Sequence, residues 1–344
     1  MCYQGPCIEN WNRSRLRSAT CDESHCFSLR PVSALPPAVL KVTSIKRLFL
    51  ESNDLAELPH QLPSLTSLTE LWLGYNSIRD LDCDAFSRIG REVPLRFLSL
   101  EGNRIEKVPR ALTDFTCLQE LRLSANDLQS LDAGSCCGLT ALTVLDLSSN
   151  RLKALPEDLA LLTSLRSLSL DNNQLKALPC MQDWTSLLRL SASNNELNCL
   201  PATFSSLVSL QTMMHMERRS LTDLPALVLK SRELRHLFLS HNLLLKLPET
   251  MTSLTSLQTL HVDNNRLILL ERWISELQSL TDVNLSVNNL QTLPSTFSSL
   301  PRLTLLNVSN NHIFSLPRCC DLNTLMGDDV CCRFHESVKV ITGR

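Results

Sequence analysis

Cysteine and histidine are the residues of this sequence whose types could carry metal or redox chemistry. There are 14 cysteines and 8 histidines. Cys331, Cys332 and His335 come closest to a zinc site, but adjacent cysteines rarely bind one ion and no Cys-x-x-Cys pair occurs. Because the first residues lack the basic-then-apolar order of a secretion signal, we expect reduced thiols in the cytoplasm. A terminal disulfide, a metal site or lipidation remains an alternative.

Motifs for catalysis or nucleotide binding are missing from the sequence. It contains no glycine-rich phosphate loop, no His-Glu-x-x-His pair and no Gly-x-Ser-x-Gly turn. With 33 basic and 35 acidic residues, the formal net charge of −2 argues against nucleic acid or an anionic membrane as the main partner. We therefore predict a protein that is not an enzyme and that needs no cofactor or metal.

Two groups of side chains could instead recognise another protein. Aromatic residues are only 5% of the chain, so their clustering is informative. The first group joins four aromatic residues to two charged ones, and the second joins three histidines to one phenylalanine. The members of the first are Phe49, Trp72, Tyr75, Phe97, Glu70 and Arg122, and those of the second are His215, His236, Phe238 and His261.

A sequence repeat must position both groups. The template is L-x-x-L-x-L-x-x-N-x-L-x-x-L-P-x-x-L-x-x-L-x-x, and successive copies start 22 to 27 residues apart. Such a period indicates a solenoid whose stacked coils share one core. The twelve copies begin at Ile45, Leu68, Leu95, Leu118, Leu142, Leu165, Leu187, Leu210, Leu234, Leu257, Leu280 and Leu303.

Each template position has a physical role. Positions 4 and 6 alternate with outward positions 3, 5 and 7, which predicts a short strand in every copy and one parallel sheet. Proline at position 15 favours a turn onto the outer face, where a short helix or 3₁₀ turn is expected. Position 9 is Asn in eleven copies, and its amide can satisfy the backbone of neighbouring coils. We therefore assign these Asn residues a structural role.

The pattern is identified as the leucine-rich repeat. Its 23-residue form ending in Leu-Pro resembles the Ras-group class of intracellular proteins, which includes Shoc-type scaffolds, and the resemblance covers residues 45 to about 325. It implies an α/β solenoid of about 12 repeats, curved, with a parallel sheet on its concave face. It also implies protein partners on that face, with small GTPase or phosphatase complexes as candidates.

The domain boundaries follow from where the template fades. We assign residues 1–26 to a flexible N-terminal tail, 27–44 to a degenerate capping repeat, 45–325 to the repeat domain and 326–344 to a C-terminal cap or tail. Two copies break the pattern most. The second has surplus residues near Ile89 to Pro94, expected as a longer outer loop, and the eighth places Arg219 in the Asn slot.

On this frame both groups face outward from the sheet. An aromatic group with a charged rim is how binding hot spots are usually built, so we predict Phe49, Trp72, Tyr75 and Phe97 as anchors. Glu70 and Arg122 would set the orientation of the partner. The second group predicts a polar recognition patch, with a pH-sensitive contact as an alternative reading.

The function predicted from sequence is a cytoplasmic, non-catalytic scaffold or adaptor in signal transduction. The main alternative is a secreted or surface recognition protein of immune type with disulfide-closed ends, because cysteines lie on both sides of the array. A weaker alternative is a regulatory subunit of a phosphatase or ligase complex. The sequence leaves the oligomeric state open.

Overall fold

The computed structural model describes residues 24–26, 42–198, 200–214, 231–314 and 339–341 of the 344-residue chain. The chain forms two compact units, Met1–Leu152 and Lys153–Arg344. Several residues singled out by sequence lie outside the described residues. These are His215, Arg219, the cysteines before residue 24 and after residue 314, and His335.

The first unit is built on a sheet of parallel three-residue strands. Each strand pairs in register with the strand one copy away, for example Arg47 with Glu70 and Leu48 with Leu71. A second, two-residue pairing joins the outer segments of two copies, β5 with β7. The strands of this unit are β1 (Ser24–Cys26), β2 (Arg47–Phe49), β3 (Glu70–Trp72), β4 (Phe97–Ser99), β5 (Lys107–Val108), β6 (Glu120–Arg122), β7 (Ser130–Leu131) and β8 (Val144–Asp146).

The second unit repeats the same pairing. Its register holds even across the irregular eighth copy, because Thr212 pairs with His236 at equivalent template positions. The strands are β9 (Ser167–Ser169), β10 (Arg189–Ser191), β11 (Thr212–Met214), β12 (His236–Phe238), β13 (Thr259–His261), β14 (Asp282–Asn284), β15 (Leu305–Asn307) and β16 (Lys339–Ile341).

Every one of the twelve predicted copies has its strand at template positions 3 to 5, which confirms the predicted repeat solenoid. Pairing also extends one strand further at each end, β1 onto β2 and β16 onto β15. Strand β1 falls inside residues 1–26, the segment that the sequence assigned to an N-terminal tail. Strand β16 falls inside the segment assigned to a C-terminal cap or tail.

The core lies between the strands and the outer segments. Leucines at positions 4 and 6 are buried almost completely, as Leu145 and Leu147 illustrate with 3% and 0% exposure. The residues between and beside them remain partly exposed, which is the alternation of a sheet covered on one side. We call the outward side of the sheet, which carries positions 3, 5 and 7, the strand face.

Short 3₁₀ helices form the outer segments where the prolines predict them. Five of the seven within the described residues begin directly after a proline with extended backbone, as Pro109 does before Arg110–Asp114. The fixed φ of proline sets the direction in which the chain enters the turn. The 3₁₀ helices are Leu62–Ser64, Arg110–Asp114, Glu157–Leu161, Ala202–Ser206, Glu249–Ser253, Arg272–Glu276 and Ser295–Ser299.

The surplus residues of the second copy form an α-helix, α1 (Asp84–Glu92), instead of the expected loop. Phe86 and Ile89 on one face of α1 are buried, and the Phe86 ring lies 4.7 Å from that of Phe115 in the next copy. Arg88 and Glu92 form an i,i+4 ion pair on the solvent side. Because these apolar residues follow helical spacing, the additional residues of the second copy form a helix that packs against the core. The sequence interpretation missed that spacing.

A ladder of asparagines joins the coils within each unit. The Asn126 amide donates to the carbonyls of Leu123 and Ser124 in its own coil and of Leu100 in the preceding coil. Its Oδ1 accepts the backbone N–H of Ile105, also in the preceding coil, at 3.0 Å. One side chain thus meets four backbone groups of two coils, three of them in buried hydrogen bonds, which explains why Asn recurs at this position of the template.

Candidate functional site

Three aromatic rings on the strand face of the first unit form a continuous stack. The ring centroids of Phe49 and Trp72 are 5.6 Å apart with an interplanar angle of 26°. Those of Trp72 and Phe97 are 4.0 Å apart with an angle of 28°. Phe49 and Trp72 are register partners on β2 and β3, which explains their contact. We call Phe49, Trp72 and Phe97 the aromatic stack.

A guanidinium group continues the aromatic stack on the next strand. Arg122 Cζ lies 5.3 Å from the Phe97 ring centroid and 5.8 Å from that of Trp72. Arg122 Nε donates to Glu120 Oε1 at 2.7 Å, so a carboxylate on the same strand holds the guanidinium in place. A cation over aromatic faces contributes on the order of 0.5–1 kcal/mol at a partly exposed site. The result is a preorganised surface whose side chains are ordered before any partner arrives.

Tyr75 does not join the aromatic stack. It occupies the turn just before the ladder residue Asn76 with a positive φ of 54°, and 58% of its surface is exposed. Its ring lies over Gly102, where a Cβ would approach the ring to 2.6 Å. Gly102 itself has a φ of 64°, so glycine meets both the backbone and the packing requirement. Tyr75 is therefore an exposed ring at the rim of the strand face.

Two glutamates flank the aromatic stack on the row nearest the turns. Glu51 and Glu101 lie on either side of Gly74, where an added Cβ would meet Glu51 Oε1 at 3.5 Å and Glu101 Cγ at 3.1 Å. Burial raises the pKa of the Glu51 carboxyl above its ordinary value, and the negative charge of Glu101 raises it further. Arg122 opposes both effects and lowers the same pKa. The two carboxylates give the side of the aromatic stack nearest the turns a negative potential.

Glu70, the other predicted orienting residue, lies in the same row of the sheet as Phe97, whereas Phe49 and Trp72 lie in the row nearer the turns. It pairs in register with Arg47 on one side and with Phe97 on the other. It is half-buried, like Trp72 and Phe97. Glu70 and Arg122 thus lie on the two strands that flank Phe97, β3 and β6.

Two polar atoms under the stack have no hydrogen-bond partner among the described residues. They are Trp72 Nε1 and Ser99 Oγ, on directly paired residues of β3 and β4. Ser99 is fully buried although position 5 faces outward, because the neighbouring large side chains cover it. Sequence reasoning did not single out Ser99, since its environment depends on how the rings lean.

The second predicted group is only partly assembled in the described residues, because His215 lies outside them. The rings of Phe238 and His261 meet edge to face, with centroids 5.0 Å apart at 87°. His236 Nδ1 lies 3.1 Å from Thr259 Oγ1, and His261 Nε2 lies 3.2 Å from Asp282 Oδ2.

These histidines therefore contact a hydroxyl, a ring and a carboxylate. In the described part of the chain no three His, Cys, Asp or Glu side chains are grouped so as to hold a metal ion. The geometry suits a polar contact surface.

Cysteine chemistry is limited to scattered thiols where the structure describes it. Cys83, Cys117 and Cys180 form no disulfide, and the last two are exposed. The terminal cysteines that bear on secretion lie outside the described residues. None of the described helices is both apolar enough and long enough to cross a bilayer.

Comparison with known proteins agrees with this architecture. The family profile described as leucine rich repeat matches residues 116–175 and 269–313. The fold is that of a leucine-rich-repeat protein. No curated protein gives a significant match to the chain. The profile covers copies in both units, and the remaining copies follow from the strand register described above.

Solved leucine-rich-repeat structures resemble most of the chain. A Leptospira interrogans protein of this kind is 26% identical, covering 90% of this chain and 75% of its own, with a TM-score of 0.78. An internalin of Listeria monocytogenes, 22% identical over 93% of this chain and 86% of its own, shares the fold with a TM-score of 0.76.

A further similar chain comes from a complex. It belongs to the LRIM1/APL1C complex and is 28% identical over 83% of this chain, with a TM-score of 0.69. This chain spans 52% of that relative's length. Leucine-rich-repeat folds generally mediate protein–protein interaction, and their sites are set by exposed side chains more than by the frame.

Proposed function

We propose that this leucine-rich-repeat protein is a non-catalytic scaffold that binds a partner protein on the strand face of its first unit. The aromatic stack with its Arg122 cap carries the proposal. Stacked rings and a guanidinium held by Glu120 expose a large contact area whose rotamers are already fixed, so binding orders few side chains. Aromatic and arginine side chains are also the residues most often found at binding hot spots.

The charges around the stack define how a partner would be oriented. Glu51, Glu70 and Glu101 surround the rings, whereas Arg122 is tied to Glu120. A partner that places apolar groups over Phe49 and Trp72 and basic groups at the glutamates would satisfy both features. The second group, His236, Phe238 and His261, would serve as a separate polar contact surface on the second unit.

The cellular setting is part of the same proposal. The resemblance to the Ras-group class supports a cytoplasmic signalling scaffold, with a small GTPase or phosphatase complex as the partner. Exposed thiols at Cys117 and Cys180 suit a reducing compartment. The alternative is a secreted recognition protein, which the cysteines at both ends of the sequence favour. A count of free thiols in protein from its native source separates the two, since 14 free thiols fit the cytoplasm and paired ones fit secretion.

The test of the binding surface is affinity purification with mass spectrometry. Wild type is compared with a Phe49→Ala, Trp72→Ala, Phe97→Ala variant whose folding is first checked by circular dichroism. The matched control is Ser167→Ala, Ser169→Ala, Arg189→Ala, which truncates strand-face side chains of two other copies. We expect a wild-type partner to be lost from the aromatic variant and retained by the control. An unchanged partner list in the aromatic variant would refute the proposed surface.

A further inference from the structure

A groove on the outer segments of the second unit contains a buried tryptophan whose indole N–H donates no hydrogen bond to the described residues. Trp273 lies in the 3₁₀ helix Arg272–Glu276 and is only 6% exposed. Its Nε1 is buried and has no hydrogen-bond partner among the described residues. The groove has a volume of about 770 Å³ and takes its walls from the ninth, tenth and eleventh copies. We call it the outer groove.

Trp184 shows how an indole is accommodated when it serves only the core. It is fully buried in the same unit, and its Nε1 donates to the carbonyl of Leu159 at 3.2 Å. A buried donor without an acceptor costs on the order of 1–3 kcal/mol, so the contrast with Trp273 calls for a physical cause. A ligand that supplies the missing acceptor would remove that cost.

Hydroxyl groups line the outer groove, but none of the described ones accepts a hydrogen bond from Trp273 Nε1. Ser275 Oγ and Thr296 Oγ1, both in the walls of the outer groove, donate to the carbonyl of Arg272 at 2.9 and 3.3 Å. The copy is also unusual in sequence, because Glu271 replaces the proline that precedes most outer segments. The tenth copy therefore departs from the template where the groove forms.

Apolar side chains run from the outer groove along the adjacent edge of the coils. Leu269 lines the groove and is 49% exposed, and Ile268 beside it is 51% exposed. Leu245, at the matching position of the preceding copy, is 52% exposed. The backbone N–H of Ile268 donates to the carbonyl of Leu245, which fixes the two side by side. Three large apolar side chains are thus left uncovered in a row.

The charge of the rim selects among acceptors. Glu249, Glu271 and Glu276 line the outer groove against a single arginine, Arg272, which makes three carboxylates to one guanidinium. A ligand carboxylate would be repelled here, whereas a neutral backbone carbonyl would not. A neighbouring lysine or arginine of the ligand would be attracted to the rim.

We propose that the outer groove is a second binding site, and that it takes an extended peptide segment of another protein carrying a basic side chain next to an aliphatic one. A backbone carbonyl of the segment accepts from Trp273 Nε1, its aliphatic side chains cover Leu269 and Ile268, and its basic side chain meets Glu271 and Glu276. Because Nε1 is enclosed in the free protein, binding includes a local rearrangement of the rim. This proposal is independent of the proposed binding surface on the strand face, because the two share no residues.

The experiment is selection of a displayed library of random 12-residue peptides on the full chain, followed by affinity measurement with the selected peptides. We expect selected sequences that combine Lys or Arg with aliphatic residues. Their affinity should fall about tenfold or more in Glu271→Lys, Glu276→Lys and in Trp273→Phe. The matched control Glu157→Lys, Asp158→Lys reverses charge on the equivalent 3₁₀ helix of another copy and should leave affinity unchanged.

A second readout locates the peptide by NMR of the indole N–H groups. Trp273→Phe identifies the Trp273 resonance, which should move on peptide binding while that of Trp184 stays in place. Selection without enrichment, affinity unaffected by Glu271→Lys, Glu276→Lys, or an unmoved Trp273 resonance would each overturn the proposal. Peptides whose binding is lost in the Phe49→Ala, Trp72→Ala, Phe97→Ala variant would show that they bind the strand face instead, which also overturns it.

Discussion

The Trp72 ring lies 4.0 Å from the Phe97 ring although the two residues are not register partners. Trp72 pairs with Ser99, and Phe97 pairs with Glu70, so the indole leans diagonally across two strands. Diagonal neighbours in a sheet lie within reach of aromatic side chains. This lean closes the space above Ser99 and produces the continuous surface of the aromatic stack.

Ser99→Ala is expected to leave stability unchanged or to increase it by about 1 kcal/mol. The Ser99 hydroxyl is buried and has no hydrogen-bond partner in the described part of the chain, so its removal relieves a desolvation cost and leaves only a small change in volume. Urea unfolding followed by circular dichroism measures the effect. A loss of more than about 1 kcal/mol would mean that the hydroxyl makes a stabilising contact.

Glu51→Gln should stabilise the protein at neutral pH. At a pH below the ordinary pKa of a glutamate, the same substitution should have no such effect. The pKa of Glu51 is raised in the folded state, so the folded state binds its proton more tightly than the unfolded state does. Its contribution to stability is therefore full at low pH and is lost as pH rises through the raised pKa. Glutamine removes that loss. Urea unfolding at about pH 7 and about pH 4 provides the comparison.

The carboxylates of Glu51 and Glu101 give a direct control for this prediction. Glu101→Gln should lower the pKa of Glu51, because the negative charge of Glu101 contributes to its rise. NMR titration of the Glu51 carboxyl measures the change. A pKa that stays the same or rises would show that the two carboxylates do not interact.

The strand frame was predictable from sequence because leucine spacing and the Asn position are local signals repeated in every copy. The strands of all twelve copies lie where the template places them. The aromatic stack was only partly predictable. Sequence puts Phe49, Trp72 and Phe97 on one face, but Trp72 leans by rotamer choice and Tyr75 leaves the group because its backbone turns to positive φ. Trp273 was missed because its unused donor is visible only in three dimensions.

Asn288→Ala is expected to cost about 3 kcal/mol, whereas Asn289→Ala should change stability by less than about 0.5 kcal/mol. Asn288 donates to the carbonyls of Val262, Leu285 and Ser286, and its Oδ1 accepts the N–H of Leu267. Its neighbour Asn289 is exposed. Thermal and urea unfolding of the two variants test the asparagine ladder, because both variants make the same Asn→Ala substitution at adjacent positions. Equal effects would argue against it.

Val287→Asn should increase stability by about 1 kcal/mol. Val287 has a φ of 54°, a region that a β-branched side chain adopts at a cost, and it is 41% exposed. Asn172, Asn194 and Asn264 occupy the same conformation in other copies. A rise in the unfolding midpoint is the expected observation. Val287→Ala serves as the control, because it removes branching without gaining the local hydrogen bonding of Asn, and it should give a smaller rise.

The asparagine ladder also determines how such a chain can change in length. Each ladder asparagine, the rung between two coils, joins the end of its own strand to the backbone that follows the strand of the preceding coil, as Asn126 does with Leu100 and Ile105. These hydrogen bonds involve no outer segment. Helix α1 could therefore be inserted into the second copy while Trp72 and Ser99 stayed in register. A duplicated copy would bring its own rung and find the matching backbone groups already present. Evolution can thus add coils or remodel their outer segments without redesigning the joint between them.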